Sequence, residues 1–146
     1  MFTLDHIGIQ VSDLESAIEL FGVMFGYVQA TRPVLNTRQR VRVVFLEKDG
    51  SLPIKMFQPV DAQGSPLPTR GSAVLHHLAF RTDDMLTSLK QMEQDGARIL
   101  VPPQPGEAFD NEPIAFVHVG MGLNTEVIAT DKRAERIDLT RQESSP

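Results

Sequence analysis

The sequence predicts an α+β fold in which two tandem βαβββ modules, related by a pseudo-two-fold axis, form a shared curved-sheet cleft. Residues 4–14 and 75–85 share the pattern Leu-x-His-apolar-small-apolar-polar-x-x-Asp-apolar. The same offset of 71 residues relates three pairs: His6 and His77, Phe45 and Phe116, and Lys55 and Glu126. A unit of about 70 residues buries too little apolar surface to be stable alone, so we expect the two modules to pack together.

The first module, about residues 4–59, begins with an alternating strand over 4–11, after which Asp13 or Ser12 can cap a helix. Apolar residues at helical spacing predict that helix over 14–25, and Gly26 ends it. The other predicted elements are a strand near 27–31, a loop around 33–36, a strand over 40–46 and, after an Asp-Gly turn, a strand over 53–57.

A linker rich in proline, glycine and serine is predicted over 58–73. The second module, about 74–129, then repeats the order of elements. It comprises a strand over 75–82, a helix over 85–94, a strand from 98 to 101, a loop over 102–113, and strands over 114–119 and 124–129. We therefore expect a single domain over 1–130 and a polar C-terminal tail over 131–146, disordered from residue 141.

Composition excludes several classes of function. With 41% hydrophobic and 23% charged residues the chain is globular, and its net charge of −5 argues against a nucleic-acid or membrane surface. The absence of cysteine removes disulfides, thiolate ligands and cysteine nucleophiles. No apolar run is long enough to span a membrane, and the first residues have no basic region typical of a signal peptide. We therefore expect a cytoplasmic protein.

Four titratable residues occupy equivalent strand positions, His6 and His77 in the first strand of each module and Lys55 and Glu126 in the last. If a two-fold axis relates the modules, these residues converge on it. Two histidines and a carboxylate are a ligand set for a divalent ion, so we predict a metal site of His6, His77 and Glu126. The alternative for each is a packed or solvated strand position. Alternation places His76 on the opposite face from His77, in a structural role.

Lys55 stands where a fourth ligand is expected, and an ammonium has no lone pair with which to bind a metal. At about 4 Å from a divalent cation it would be repelled by roughly 8 kcal/mol even at an effective dielectric constant of 20. The side chain can turn away, the amine can lose its proton and act as a base or weak ligand, or the ammonium can replace the metal and pair with Glu126. We assign Lys55 and Glu126 as the candidate catalytic residues.

Three polar residues are predicted to bind substrate. Gln10 and Arg81 share strand faces with the two histidines, and Arg42 lies on the strand over 40–46. The alternative for each arginine is a solvated face. Gly8, a small residue beside a histidine, is expected to leave room for a ligand. An anionic or oxygen-rich small molecule fits these side chains.

The duplicated βαβββ unit resembles the vicinal oxygen chelate superfamily, which includes glyoxalase I, methylmalonyl-CoA epimerase, extradiol dioxygenases and bleomycin resistance proteins. The motifs that carry the resemblance are Asp-His-Ile-Gly-Ile at 5–9 and His-His-Leu-Ala-Phe-Arg at 76–81. The motif sequences are most similar to those of the epimerase-like branch. Residues 54–59 and 124–128 resemble the strands that carry the third and fourth ligands of that branch. The resemblance covers roughly residues 4–130.

Carried over position by position, the resemblance implies metal ligands at His6, His77 and Glu126. The fourth ligand of the family, usually Gln or Glu, falls on Lys55, and the carboxylate base of the epimerases falls on Arg42. A guanidinium cannot accept a proton near neutral pH. The chain therefore departs from the epimerase pattern at two functional positions.

We predict a glyoxalase- or epimerase-like small-molecule enzyme, an isomerase or lyase. A divalent metal (Zn, Ni, Co, Fe or Mn) would polarise substrate oxygens and stabilise an enolate. The alternative is a metal-free small-molecule binding or sequestration protein of the same fold, with Lys55 paired to Glu126. A homodimer is also expected, since exposed strand edges need cover.

Overall fold

The computed structural model of the protein describes residues 1–68 and 71–138. Within these ranges, nine strands form one mixed sheet and two helices pack against it. The strands are β1 (Phe2–Val11), β2 (Val28–Gln29), β3 (Val34–Asn36), β4 (Val41–Glu47), β5 (Ile54–Pro59), β6 (Ala73–Thr82), β7 (Arg98–Gly106), β8 (Glu112–Gly120) and β9 (Leu123–Ile128). The helices are α1 (Leu14–Phe25) and α2 (Met85–Gln94), and a 3₁₀ turn covers Glu107–Phe109.

The order of the strands is that of two repeated halves joined at the centre. The sheet runs β2-β4-β5-β1-β6-β9-β8-β7, with β3 also paired to β4. β1 and β6 are antiparallel neighbours, β1 pairs in parallel with β5, and β6 pairs in parallel with β9. In these parallel pairs Gly8 lies opposite Lys55 and Ala79 opposite Glu126, so the register repeats at the predicted offset. The predicted α+β fold is confirmed.

Equivalent aspartates begin the two helices. The Asp13 carboxylate accepts from the backbone N–H of Ser16, and the Asp84 carboxylate accepts from that of Thr87. Each cap satisfies a donor that a helix N-terminus leaves without a partner. At the end of α1, Gly26 adopts a left-handed conformation with φ 75°. Neither helix in the described part of the chain is long and apolar enough to cross a membrane.

The sheet separates two kinds of core. On one side, α1 packs on Val44, Leu46 and Met56, and α2 packs in the same way on β8 and β9. On the other side, residues of both halves meet around Phe45 and Phe109. This second side is the concave face, on which His6, Lys55, His77 and Glu126 lie.

Two segments expected to be loops contain strand. Residues 34–36 form β3 against β4, and β7 continues through three prolines to Gly106 before the 3₁₀ turn. Proline lacks the N–H needed by a central strand, but β7 is at the edge of the sheet and pairs only with β8 there. Reading the prolines as a loop signal is therefore wrong for this strand.

The segment after residue 130 returns to the body of the protein. Ala134 N–H donates to the carbonyl of Ala108 at 3.0 Å, and Ile137 N–H donates to that of Ala30 at 2.9 Å. Arg133 and Ala134 are buried. Part of the polar tail predicted from 131 thus closes one end of the concave face. The disorder expected from residue 141 lies outside the described residues.

Candidate metal centre

The concave face brings His6, His77 and Glu126 together from three strands. Glu126 Oε1 lies 3.0 Å from His6 Nε2 and 3.8 Å from His77 Nε2. The three ligand atoms all lie within 4.8 Å of one another. All three residues are buried, and His6 and Glu126 are fully enclosed.

The same three atoms have no hydrogen-bond partner among the described residues. The 3.0 Å approach of His6 Nε2 to Glu126 Oε1 is an ion-pair distance without hydrogen-bond directionality. A buried polar atom without a partner costs about 1–3 kcal/mol, and one shared ligand would satisfy all three of these converging atoms. Two ligand atoms each about 2.0–2.2 Å from one ion lie about 3–3.5 Å apart, and the distances of 3.0 Å and 3.8 Å from Glu126 Oε1 to the two histidine nitrogens are close to this range. The three residues therefore fit a divalent metal ion.

Lys55 meets the centre from the other side of Glu126. Its Nζ donates to Glu126 Oε2 at 2.9 Å, and the lysine side chain is 3% exposed. The ammonium also lies 5.3 Å from the centroid of the Phe109 ring. Lys55 thus neither turns away from the cleft nor lies between the histidines. Glu126 accepts from Lys55 through Oε2, and its Oε1 faces the two histidine nitrogens.

Burial and charge set the protonation states at this centre. Burial alone would raise the pKa of Glu126, but the Lys55 ammonium and the His6 ring hold it well below its usual range. Burial lowers the pKa of His77 to about 3, with Lys55 acting in the same direction and Glu126 opposing it. An ionised carboxylate and a neutral imidazole are the forms that bind a metal.

A β-bulge stands before each of the two histidines, His6 and His77. Asp5 is the extra residue where β1 passes from Leu4 to His6, and His76 is the extra residue where β6 passes from Leu75 to His77. A bulge breaks the alternation of side chains, so the residue before each histidine turns to the same side as the histidine. The prediction that His76 lies on the opposite face from His77 is therefore wrong.

The two bulged residues hold the outer nitrogens of the ligand rings. Asp5 Oδ2 lies 2.6 Å from His6 Nδ1, and His76 Nδ1 lies 2.8 Å from His77 Nδ1. The pKa of Asp5 is lowered: burial opposes this, but the hydrogen bond from His6 and the charge of Arg133 outweigh it. An ionised carboxylate only accepts, so His6 carries a proton on Nδ1. Such partners orient a ligand ring and fix its tautomer.

Gly8 makes room for the ring of His77. A Cβ at this position would lie 2.2 Å from Cε1 of His77, well inside contact distance. The ring of His77 therefore lies over the backbone of β1. The expectation that this space is left for a bound molecule is wrong.

The predicted substrate-binding residues lie in three different places. Gln10 lines a cavity of about 450 Å³ beside the centre. Arg81 lies at the opposite, closed end, where its guanidinium is 3.6 Å from Asp5. Arg42 is not brought to the cleft, because it shares the helix side of β4 with Val44 and pairs with Glu15 of α1 at 2.9 Å. The position compared with the epimerase base thus faces away from the centre.

The cavity opens next to His77. It is lined by Gln10, Gln39, Val41, Phe57, Pro59, His76, Leu100, Val101, Phe116 and Asn124. The rings of Phe57 and Phe116 each lie 5.8 Å from that of His77. Amides and apolar side chains dominate this surface, and none of its lining residues is acidic.

Three residues of the site were missed by sequence reasoning: Asp5, His76 and Arg133. Asp5 and His76 stand directly before the ligand histidines and are themselves 71 residues apart, so the repeat carried a signal. Regular alternation predicts that these residues lie on the opposite face from the histidines, and the bulges that change this cannot be predicted from a single sequence. Arg133 gave no signal, since it lies in a charged segment that resembles a solvated tail.

Comparison with known proteins agrees with this geometry. A family model for the glyoxalase/bleomycin resistance protein/dioxygenase superfamily matches residues 5–116. An ethylmalonyl-CoA/methylmalonyl-CoA epimerase of Cereibacter sphaeroides is 26% identical over 119 residues, 79% of this chain and 87% of that protein. The uncharacterized protein YwbC of Bacillus subtilis is 28% identical over 98 residues, 66% of this chain and 74% of that protein.

A solved structure shows the same architecture. The crystal structure of methylmalonyl-CoA epimerase from Mycobacterium tuberculosis superposes with a TM-score of 0.71 at 29% identity, covering 86% of each chain. The predicted resemblance, including its epimerase-like branch, is confirmed by these relatives. The chain belongs to the glyoxalase/bleomycin resistance protein/dioxygenase superfamily.

Proposed function

We propose that the protein is a small-molecule enzyme of the glyoxalase or epimerase type, an isomerase or lyase that uses a divalent metal. The observation that carries this proposal is the convergence of three buried atoms without partners, His6 Nε2, His77 Nε2 and Glu126 Oε1. These residues would hold the ion. When bound, it would supply Lewis-acid polarisation of substrate oxygens and stabilise the charge of an enolate.

The charges at the centre favour an anionic substrate. Lys55 and Glu126 already neutralise each other, and so do Arg133 and Asp5. A divalent ion therefore adds two positive charges that no described side chain at the centre balances. A carboxylate, or an enolate that forms during reaction, would supply the missing negative charge.

Proton transfer next to a carbonyl is the reaction that fits these groups. The cleft side of β4 carries Val43 and Phe45, so it offers no carboxylate base. Lys55 and Glu126 are the proposed catalytic residues. The Lys55 ammonium has three donors, so it could donate a hydrogen bond to a substrate oxygen while it remains paired with the Glu126 carboxylate. The neutral ring of His76 at the wall of the cavity would accept the proton from the substrate carbon and return it.

Elemental analysis combined with proton exchange tests this proposal. The purified protein should contain about one divalent ion per chain. In D₂O it should catalyse exchange of the proton next to the carbonyl in carboxylated acyl-CoA thioesters or in thiol adducts of 2-oxoaldehydes. Glu126→Gln should lose both properties. If the protein contained metal but catalysed no proton exchange in either class of compound, the proposed reaction would be wrong, while the metal centre would stand.

A second candidate, a metal-free binding or sequestration protein, rests on a different observation. The Lys55–Glu126 pair is fully buried at 2.9 Å and needs no ion for its charge balance. In that case the cavity alone would hold the ligand. Purification without metal, together with no affinity for added Zn²⁺, would favour this candidate.

A homodimer and a cytoplasmic location remain part of the proposal. Outer strands β2, β3 and β7 offer sheet edges, and apolar residues of α1 such as Val23 and Met24 are exposed. Light scattering at micromolar concentration should give twice the mass of one chain. A monomer would contradict this assembly.

A further inference from the structure

We propose that Arg133 is a positioning residue of the metal centre, which fixes the ring of His6 through Asp5. Nothing in the repeat predicts this, since Arg133 follows the second module and has no counterpart in the first. The inference deepens the proposed function, because its metal readout rests on the site formed by His6, His77 and Glu126.

The contact of Arg133 with Asp5 is buried and direct. Its Nη2 donates to Asp5 Oδ2 at 2.5 Å, and the arginine side chain is 6% exposed. The same oxygen of Asp5 accepts from His6 Nδ1 at 2.6 Å. A guanidinium, a carboxylate and an imidazole thus form one chain of charge-assisted contacts that ends at the ligand nitrogen.

Aromatic rings fix the guanidinium in place. Its central carbon lies 4.4 Å from the ring centroid of Phe45 and 5.3 Å from that of Phe109. Both rings also contact His6, Phe45 in a T-shaped arrangement at 5.3 Å and Phe109 by stacking at 6.0 Å. Arg133 and His6 are therefore packed against the same two side chains. Because Arg133 is fixed in this way, its hydrogen bond also fixes the carboxylate of Asp5.

The opposite half of the centre lacks this arrangement. At the equivalent place His77 is held by the neutral ring of His76, and the cavity opens there. The end behind His6 is instead closed by Arg133 and Ala134. The pseudo-symmetric cleft is thus fixed at one end and accessible at the other.

Arg133→Met tests this inference, since methionine keeps the apolar stem and loses the guanidinium. The matched control is Arg136→Met, three residues on, where the arginine is 52% exposed and pairs with Glu47 at 2.8 Å. The first measurement is the NMR signal of the proton on His6 Nδ1 in the metal-free protein. The signal should be sharp in the wild type and in Arg136→Met, and broadened or lost in Arg133→Met.

The second measurement is the affinity for Zn²⁺. Loss of an outer partner of a ligand histidine typically costs 10–100-fold, and we expect that loss in Arg133→Met but not in Arg136→Met. Asp5→Asn should show a similar loss, and the double variant Asp5→Asn/Arg133→Met should lose little more, because Arg133 acts through Asp5.

The outcomes separate the two proposals. An unchanged Nδ1 proton and an unchanged affinity in Arg133→Met would overturn the role of Arg133. Additive losses in the double variant would also overturn it, since the two residues would then act independently. If the wild type bound no Zn²⁺, the metal-dependent function would fail, while the Nδ1 signal of the metal-free protein would still decide whether Arg133 fixes His6.

Discussion

Lys55 donates to one oxygen of Glu126 and leaves the other oxygen facing two histidine nitrogens. The lysine was predicted to reach the cleft because it shares the repeat position of Glu126. Charge alone left its geometry open among three arrangements. The structure shows only part of the third arrangement, since the ammonium pairs with the carboxylate but does not fill the space between the histidines.

Removing the charge of Lys55 should destabilise the metal-free protein. Lys55→Met leaves the ionised, fully buried Glu126 without its partner, which should lower the free energy of unfolding by about 3–5 kcal/mol. The matched control is Lys132→Met, where the lysine is 58% exposed and pairs with Glu112 at the same 2.9 Å; its loss should leave the free energy of unfolding almost unchanged, because solvent screens an exposed pair. Urea unfolding with a chelator present measures both. Equal effects in the two variants would contradict the account.

The same lysine should weaken metal binding. Lys55→Gln removes a positive charge and adds an oxygen that can bind a metal, so affinity for Zn²⁺, Ni²⁺ or Co²⁺ should rise at least tenfold, or about 1.4 kcal/mol. Glu126→Ala in the same chain should abolish the gain. Calorimetric titration decides, and an unchanged affinity would mean that the ammonium does not affect the ion.

The lowered pKa of His77 should make the metal-free protein sensitive to acid. The pKa is about 3 in the folded state and about 6.5 in the unfolded chain, so between these values the unfolded chain binds the extra proton and stability falls as pH falls. From pH 7 to pH 5 the loss due to His77 should be about 2 kcal/mol. His77→Gln should flatten the curve of unfolding free energy against pH in this window, and a curve that this substitution leaves unchanged would contradict the account.

At the scale of elements, a bulge in each of the two central strands, β1 and β6, brings extra side chains to the concave face. The bulges at Asp5 and His76 place two consecutive side chains on the concave face, which regular alternation forbids. The central pairing of β1 with β6 then sets the distance between the two histidines. Strand existence and register followed from hydrophobic alternation and the repeat, but the bulges depend on pairing between strands and could not be predicted from either strand alone.

Gly8→Ala tests how closely β1 supports the centre. The added methyl group would meet the ring of His77 at 2.2 Å, so the ring must move, at a cost of about 1–3 kcal/mol in unfolding free energy. Zn²⁺ affinity should fall at the same time. The control is Gly71→Ala, where a Cβ meets no atom of the described residues within 4 Å. A variant of Gly8 that keeps full Zn²⁺ affinity would show that His77 does not need its observed position.

At the scale of the molecule, duplication explains both what could be predicted and what could not. The offset of 71 residues predicted the convergence of His6, Lys55, His77 and Glu126, because equivalent strands meet at the axis. It could not predict Arg133, which lies outside the repeat. The comparison with the epimerases places Arg42 in the cleft. A shift of one residue along a strand moves a side chain to the other face, however, and Arg42 lies on the helix side, where it pairs with Glu15 of α1.

The two ends of the cleft therefore differ although the sheet is nearly symmetric. The returning segment fills the end behind His6, and a cavity of about 450 Å³ lies at the other end. Under the proposed function, substrate would enter through this cavity, beside His76 and His77. Bulky substitution there should affect substrate binding more than metal binding.

Calorimetric titration of Zn²⁺ into the chelator-treated protein tests most directly whether His6, His77 and Glu126 form a metal centre. The wild type should bind one ion per chain, and Glu126→Gln, which keeps the shape of the side chain but loses its charge, should bind at least about a hundredfold more weakly, in line with loss of one of three ligands. No binding by the wild type, or equal binding by Glu126→Gln, would contradict the account.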